Sequence, residues 1–153
     1  MLKLNTSGNL KELINKYGNM RSTLMDKIKD LAIEETKEII HEQFRDQVDP
    51  YGRAWEPDKT GTVFDPNHKI ENSFRWKKTN KGILIWNTLD YAIYHQTGTD
   101  KLPQRMMLPG STNGLSNRWK DSLFIAFSDA VHGRVKKGGT DAIQNSQSNT
   151  GDL

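Results

Sequence analysis

Four histidines, His41, His68, His95 and His132, are the natural places to look for chemistry in a chain that has no cysteine. None is spaced as a metal ligand pair. His41-Glu42 opens like the HExxH zinc motif, but Arg45 stands where the second histidine would be. A zinc site made only of histidines from distant loops stays open. Asp58, Asp65 and Glu71, with Lys77 or Lys78, are the residue types of a metal-dependent nuclease, although their spacing does not single them out. Lys77, Lys78 and Lys81 beside Phe74 and Trp76 suit a nucleic-acid face. The same residues suit a hairpin kept soluble by lysines, with its aromatics turned inward. There is no phosphate-binding glycine loop, no dinucleotide fingerprint and no G-x-S-x-G elbow. The absence of cysteine excludes disulfide scaffolds, iron–sulfur clusters and thiol nucleophiles. The residues therefore point away from an enzyme, with no cofactor and no metal expected.

The elements that would position these residues are legible in part. The acids of the first third alternate with bases, as on a solvated helix face. Asn9, with Glu12 three residues on, predicts a helix start, and Leu10, Leu13, Ile14 and Tyr17 follow on one face. Gly18-Asn19 predicts an interruption. A longer helix is expected from about Ser22 to Asp46, with Leu24, Met25, Ile28, Leu31, Ala32, Ile39, Ile40 and Phe44 on its apolar side. Asp49-Pro50 stops it.

Residues 47–69 show no sustained period and exceed the ~12–15 residues of usual structureless loops. Tyr51, Trp55 and Phe64 lie in this stretch, which a solvated linker would lack. Ile70–Lys77 and Ile83–Asn87 around Thr79-Asn80-Lys81-Gly82 predict an antiparallel hairpin. Tyr91–Gln96 predicts one helical turn closed by Gly98. Leu102–Gly110, with proline near both ends, predicts an edge strand. A second main helix is expected from Ser116 or Asn117, with Trp119, Leu123, Phe124, Phe127, Ala130 and Val131 on its buried face and Gly133 after its end.

The whole is an α+β domain over 1–133, two main helices on a small mostly antiparallel sheet, with a long loop between the first helix and the sheet. Residues 134–153 are rich in Asn, Gln, Ser, Thr, Gly and Asp and are expected to be a disordered tail. With 153 residues, a mean hydropathy of −0.78 and a net charge of +3, one domain with a polar surface is implied. No apolar run is long enough for a membrane span, and Met1–Ser7 has no apolar core of a secretion signal.

Two stretches carry a family resemblance. Phe44 followed by Asp49-Pro50-Tyr51-Gly52-Arg53-Ala54-Trp55-Glu56-Pro57 resembles an F…DPxGxxWxP element, and Tyr91-Ala92-Ile93-Tyr94-His95-Gln96-Thr97-Gly98 resembles a YAxxHQxG element. Both are similar to elements of the virion morphogenesis, or tail completion, proteins of contractile-tailed phages and prophages. They occur in the family's order, with a hairpin between and a helix after, over about residues 10–132. Where the family has a segment like ARPFLG, this chain reads Gln104-Arg105-Met106-Met107-Leu108-Pro109-Gly110.

The resemblance implies a structural protein of the virion, at the head-proximal end of the tail, assembled in the host bacterial cytoplasm. It implies tail completion and head–tail joining through contacts with other tail or connector proteins, in a ring of identical subunits in the assembled particle; the cost of ordering the long loop on docking is compatible with a monomer when free. Membrane and nucleic-acid partners are not implied. Pro50, Gly52, Trp55, Tyr91, His95, Gln96 and Gly98 are then the motif's structural residues. Trp55 is either a plug over the domain's own core or an anchor for a neighbour. Tyr51, Trp55 and Phe64 are the expected interface, and His95-Gln96 is expected to satisfy buried backbone groups. A nucleic-acid-binding protein or metal-dependent nuclease is the alternative.

Overall fold

A computed structural model describes residues 7–133; the expectation for the tail, 134–153, falls outside these residues. The fold is α+β, as the patterning requires. Helix α1 runs unbroken over Ser7–Asp46, 40 residues, or about 60 Å at the α-helical rise. The interruption expected at Gly18-Asn19 is absent. A glycine costs a helix only ~0.5–1 kcal/mol relative to alanine, too little to break a cooperative helix with good formers on both sides. On the charged side of α1 Lys37 pairs with Glu34 at 2.8 Å, Arg45 turns to Asp46, and Glu42 pairs with Arg118.

The end of α1 is built by Gln47, which takes a left-handed φ of 55°. Its side-chain amide compensates for that unusual backbone. Nε2 donates to the carbonyls of Phe44 and Phe64 at 2.7 and 3.0 Å, and Oε1 accepts from the Phe64 amide at 2.8 Å. The long loop is thus stitched to the helix end as it leaves it.

A 3-10 turn at Glu71–Ser73 leads into β1, Phe74–Thr79, which pairs antiparallel with β2, Gly82–Asn87. The register runs from Phe74 opposite Asn87 to Thr79 opposite Gly82, so Phe74, Trp76 and Ile85 point at α1 while Arg75, Leu84 and Trp86 point outward. Helix α2 covers Ala92–Thr97, and α3 covers Asn117–Val131 with Ser116 as its N-cap. The sheet has two strands among the described residues; the edge strand expected at 102–110 is not one. That segment is held by side chains in place of a ladder, as detailed below.

The core gathers Ile39, Ile40 and Phe44 of α1, Trp55 and Phe64 of the loop, Ile70, Phe74, Ala92, Met107 and Trp119. The expected buried face of α3 is corrected. Trp119, Ala126 and Ala130 are buried, whereas Phe124, Phe127 and Val131 are 69%, 49% and 49% exposed. Alanine at the contact lets α3 approach α1 closely, toward the ~8–10 Å of packed helices, and that approach leaves the bulky side chains outside.

Candidate functional site

The two motif stretches are brought together over the end of α1. In the first, Asp49 is 5% exposed and organises the turn. Its Oδ1 accepts from the amides of Tyr51 and Arg53 at 2.8 and 2.9 Å, and its Oδ2 accepts from Arg53 Nε at 2.7 Å. Pro50 is fully buried and Gly52, at φ 83°, donates its amide to the Asp49 carbonyl. A residue with a Cβ rarely takes that φ, so glycine is needed at position 52.

Tyr51 closes the turn over the 110–114 segment. Its hydroxyl donates to the Gly114 carbonyl at 2.7 Å and accepts from the Gly110 amide at 3.3 Å. Trp55, 7% exposed, lies edge-on to Phe44 and Phe64, each at 5.1 Å between ring centres, and its Nε1 donates to the Met106 carbonyl. Phe64, 5% exposed, stacks on Phe44 at 5.7 Å. The expected interface is therefore corrected for Trp55 and Phe64. Both are plugs of this chain's own core, because a loop with no regular structure can enter the core only through such large apolar side chains. Tyr51, half-buried, spends its polar atom within the chain.

The second motif meets the first through Phe64, which lies outside both and touches Phe44, Trp55 and His95. His95 packs its ring against Phe64 at 4.8 Å and lies 6.3 Å from the Tyr91 ring. The Arg105 guanidinium sits over the Phe64 ring, 5.2 Å from its centre, and its Nε donates to the Glu56 carbonyl at 2.7 Å. Burial, then the neighbouring Arg105 charge, holds His95 below the ordinary histidine pKa, with Asp65 opposing. His95 Nδ1 is buried without a hydrogen-bond partner. The expectation that its side chain satisfies backbone groups is corrected: its carbonyl does so, accepting from the Arg105 amide at 2.7 Å.

Gln96 fulfils that expectation. Its Oε1 accepts from the amides of Met107 and Leu108 at 2.8 and 3.0 Å, and its Nε2 donates to the Leu108 carbonyl at 2.7 Å. Gln43 donates to the Met107 carbonyl from the other side, at 2.9 Å. Residues 105–108 thus find in Gln96, Gln43, Trp55 and the His95 carbonyl the partners a strand would have supplied. Gly98 ends α2 at φ 74°, ψ 165° and abuts Gln104.

Of the residues of the other candidate chemistries, Asp65, Glu71, His41 and His68 come together, while Asp58 and Lys78 are engaged elsewhere. Asp58 caps Thr60 and Thr62, Asp65 accepts from the Glu71 amide, and Lys78 pairs with Asp30. Phe74 is buried and Trp76 donates to Thr36, so these aromatics face α1 instead of an open surface. Among the described residues no group of three or more His, Asp or Glu side chains is placed to hold a metal ion, and no helix is long and apolar enough to cross a membrane. Glu71 bridges His41 and His68 at 2.6 and 2.7 Å, tying the loop to α1.

Sequence reasoning missed Gln43, Gln47 and Arg105. Gln43 had a signal, a polar side chain in register with Ile39 and Ile40 on the apolar side of α1. Arg105 had only the motif alignment. Comparison of the chain with protein-family models, with curated proteins and with solved structures finds no match in any of the three.

Proposed function

We propose that the chain is a structural protein of a phage or prophage particle, completing the tail and joining it to the head through protein–protein contacts. One observation carries the reading. The DPYGRAWEP and YAIYHQTG stretches, distant in sequence, are held in one scaffold by two residues outside both: Phe64 touches Trp55 and His95, and Arg105 donates to the carbonyls of His95 and Glu56. Motif residues tied together in this way serve to hold a shape. Pro50, Gly52, Trp55, Gln96 and Gly98 all act on this chain's own backbone or core, as a building block requires.

In a ring each subunit presents one patch to the next and a complementary patch to the previous one. With Trp55 and Phe64 inside, such contacts fall to the apolar side chains that the fold leaves out, among them Phe124, Phe127, Ile93 and Tyr94. The test is deletion of the gene from a phage or inducible prophage. Full heads and separate, unjoined tails are the expected products, restored to infectious particles by the gene in trans. Joined particles at normal yield overturn the reading.

A further inference from the structure

Residues 74–87 carry Arg75, Lys77, Lys78 and Lys81 and contain no acid. The β1–β2 hairpin sorts these cations by face. Side chains of a strand alternate, so Lys78 lies with Phe74 and Trp76 on the α1 side, where it pairs with Asp30 at 2.8 Å. Arg75 and Lys77 lie on the opposite side, and the register sets Arg75 against Trp86 and Lys77 against Leu84. Trp86 and Leu84 are 38% and 50% exposed there, and Arg75, Lys77 and, at the turn, Lys81 are exposed with them. Phe74 and Trp76, the aromatics that the sequence offered for such a face, are turned to the core, and Trp86 takes their place.

No carboxylate neutralises the outward side. Of the hairpin's cations Lys78 alone forms an ion pair among the described residues. Arg75 is held by carbonyls, its Nη1 donating to those of Asn72 and Phe74 at 2.9 and 2.7 Å, which fixes the guanidinium and leaves its charge uncompensated. The acids next to the hairpin in sequence are Glu71, which is bonded to His41 and His68, and Asp90. The one hydroxyl among the outward positions, that of Thr79, is used by the Gly82 amide and carbonyl in the turn.

We propose that the outward face of the β1–β2 hairpin binds single-stranded nucleic acid, DNA and RNA alike. Trp86 would stack on a base, Leu84 would cover a neighbouring one, and Arg75, Lys77 and Lys81 would take phosphates. The pairing of cation with apolar group across the two strands matches a ligand in which phosphates alternate with flat bases. A duplex keeps its bases stacked inside and gives Trp86 nothing to stack on. An acidic peptide matches the charges but not the exposed indole, and a bilayer needs a broader apolar area than one tryptophan and one leucine. No outward side chain is free to read a 2′-hydroxyl, so the sugar is not distinguished. This inference stands independently of the tail-completion reading.

The test uses the full chain and a fluorescein-labelled oligothymidylate. Binding should weaken with salt, log Kd rising against log salt with a slope of about 2, or ~0.7 for each of three phosphates. Lys77→Ala with Lys81→Ala should lower that slope by about 1.4. Trp86→Ala should weaken binding at least about fivefold and leave the slope unchanged. If circular dichroism shows that variant unfolded, Trp86→Leu keeps an apolar side chain on the strand without a stacking surface and should show the same loss. An oligouridylate should bind as the oligothymidylate does, and a duplex more weakly. Binding that survives the lysine and tryptophan changes, as it would if Arg134, Lys136 and Lys137 held the strand, overturns the proposal. So does no binding at low salt, a strong preference for one sugar, or equal or tighter binding of a duplex, of polyglutamate or of phosphatidylglycerol vesicles.

Discussion

Gln43 and Trp119 are joined inside the core by a hydrogen bond of 2.9 Å from the indole Nε1 to the amide Oε1. Gln43 has no exposed surface, and its Nε2 reaches the Met107 carbonyl at 2.9 Å. One amide thereby fixes α3 and the 105–108 segment against α1 at a single point. Its donor and acceptor are both used, which makes a buried glutamine tolerable there.

Replacing Gln43 by leucine keeps the volume and removes both bonds. The indole N–H and the Met107 carbonyl would remain buried without partners, at about 1–3 kcal/mol each. Gln43→Leu should therefore lower stability by about 2–6 kcal/mol in urea unfolding. Adding Trp119→Phe removes one orphan, so the double variant should lose less than the sum of the single changes.

The aromatic side chains divide into two classes that unfolding will separate. Trp55 fills the space between Phe44 and Phe64, so Trp55→Ala should cost about 3–5 kcal/mol. Phe127 is half exposed on α3, and Phe127→Ala should change stability by about 0.5 kcal/mol or less. Equal losses in the two variants would mean that the outer face of α3 is covered in the free protein.

The pH response follows from His95. Its folded pKa lies below the ordinary value, so the unfolded chain takes up a proton first as pH falls. Its neutral form is favoured in the fold. The stability this brings is complete above about pH 6.5, the unfolded histidine value, and is lost as the pH falls from there toward the lower folded pKa. His95→Phe, which keeps a ring against Phe64, should flatten this part of the stability curve. A variant curve parallel to the wild type from pH 7.5 to 5 would remove His95 as the cause.

What the sequence disclosed follows the range of the forces involved. Helix α1, the hairpin and the start of α3 at Ser116 rest on local signals: periodicity, a turn and a cap. The inward face of α3 depends on which residues let α1 come close, and apolar residues lie on too much of its circumference to decide this. Trp55 was legible as an aromatic that must be buried somewhere, but its burial in its own core depends on Gln47 holding the loop back toward the helix end. The 102–110 segment has the composition of an edge strand and lacks the ladder because Gln96 and Gln43, distant in sequence, satisfy its backbone. The motif residues were identifiable by pattern, while the bridge between the two motifs through Arg105, which donates to the carbonyls of Glu56 and His95, required the structure.

Gly98 gives the sharpest test of the motif's structural role. Its backbone, φ 74° and ψ 165°, lies in a region that essentially only glycine occupies. A Cβ there would also approach the Gln104 amide nitrogen and Cα to 3.1 and 3.2 Å. Strain and crowding act together, so Gly98→Ala should cost about 1–3 kcal/mol or more. Asparagine relieves strain in the ordinary left-handed region but not at this ψ, so Gly98→Asn should be no better than Gly98→Ala. Gly52, with nothing within 4 Å of its Cβ position, meets no such crowding. Gly52→Ala should therefore lose less stability than Gly98→Ala in the same unfolding experiment. The reverse order would mean that the α2 end moves freely from Gln104, and that the second motif does not hold the 104–108 segment in place.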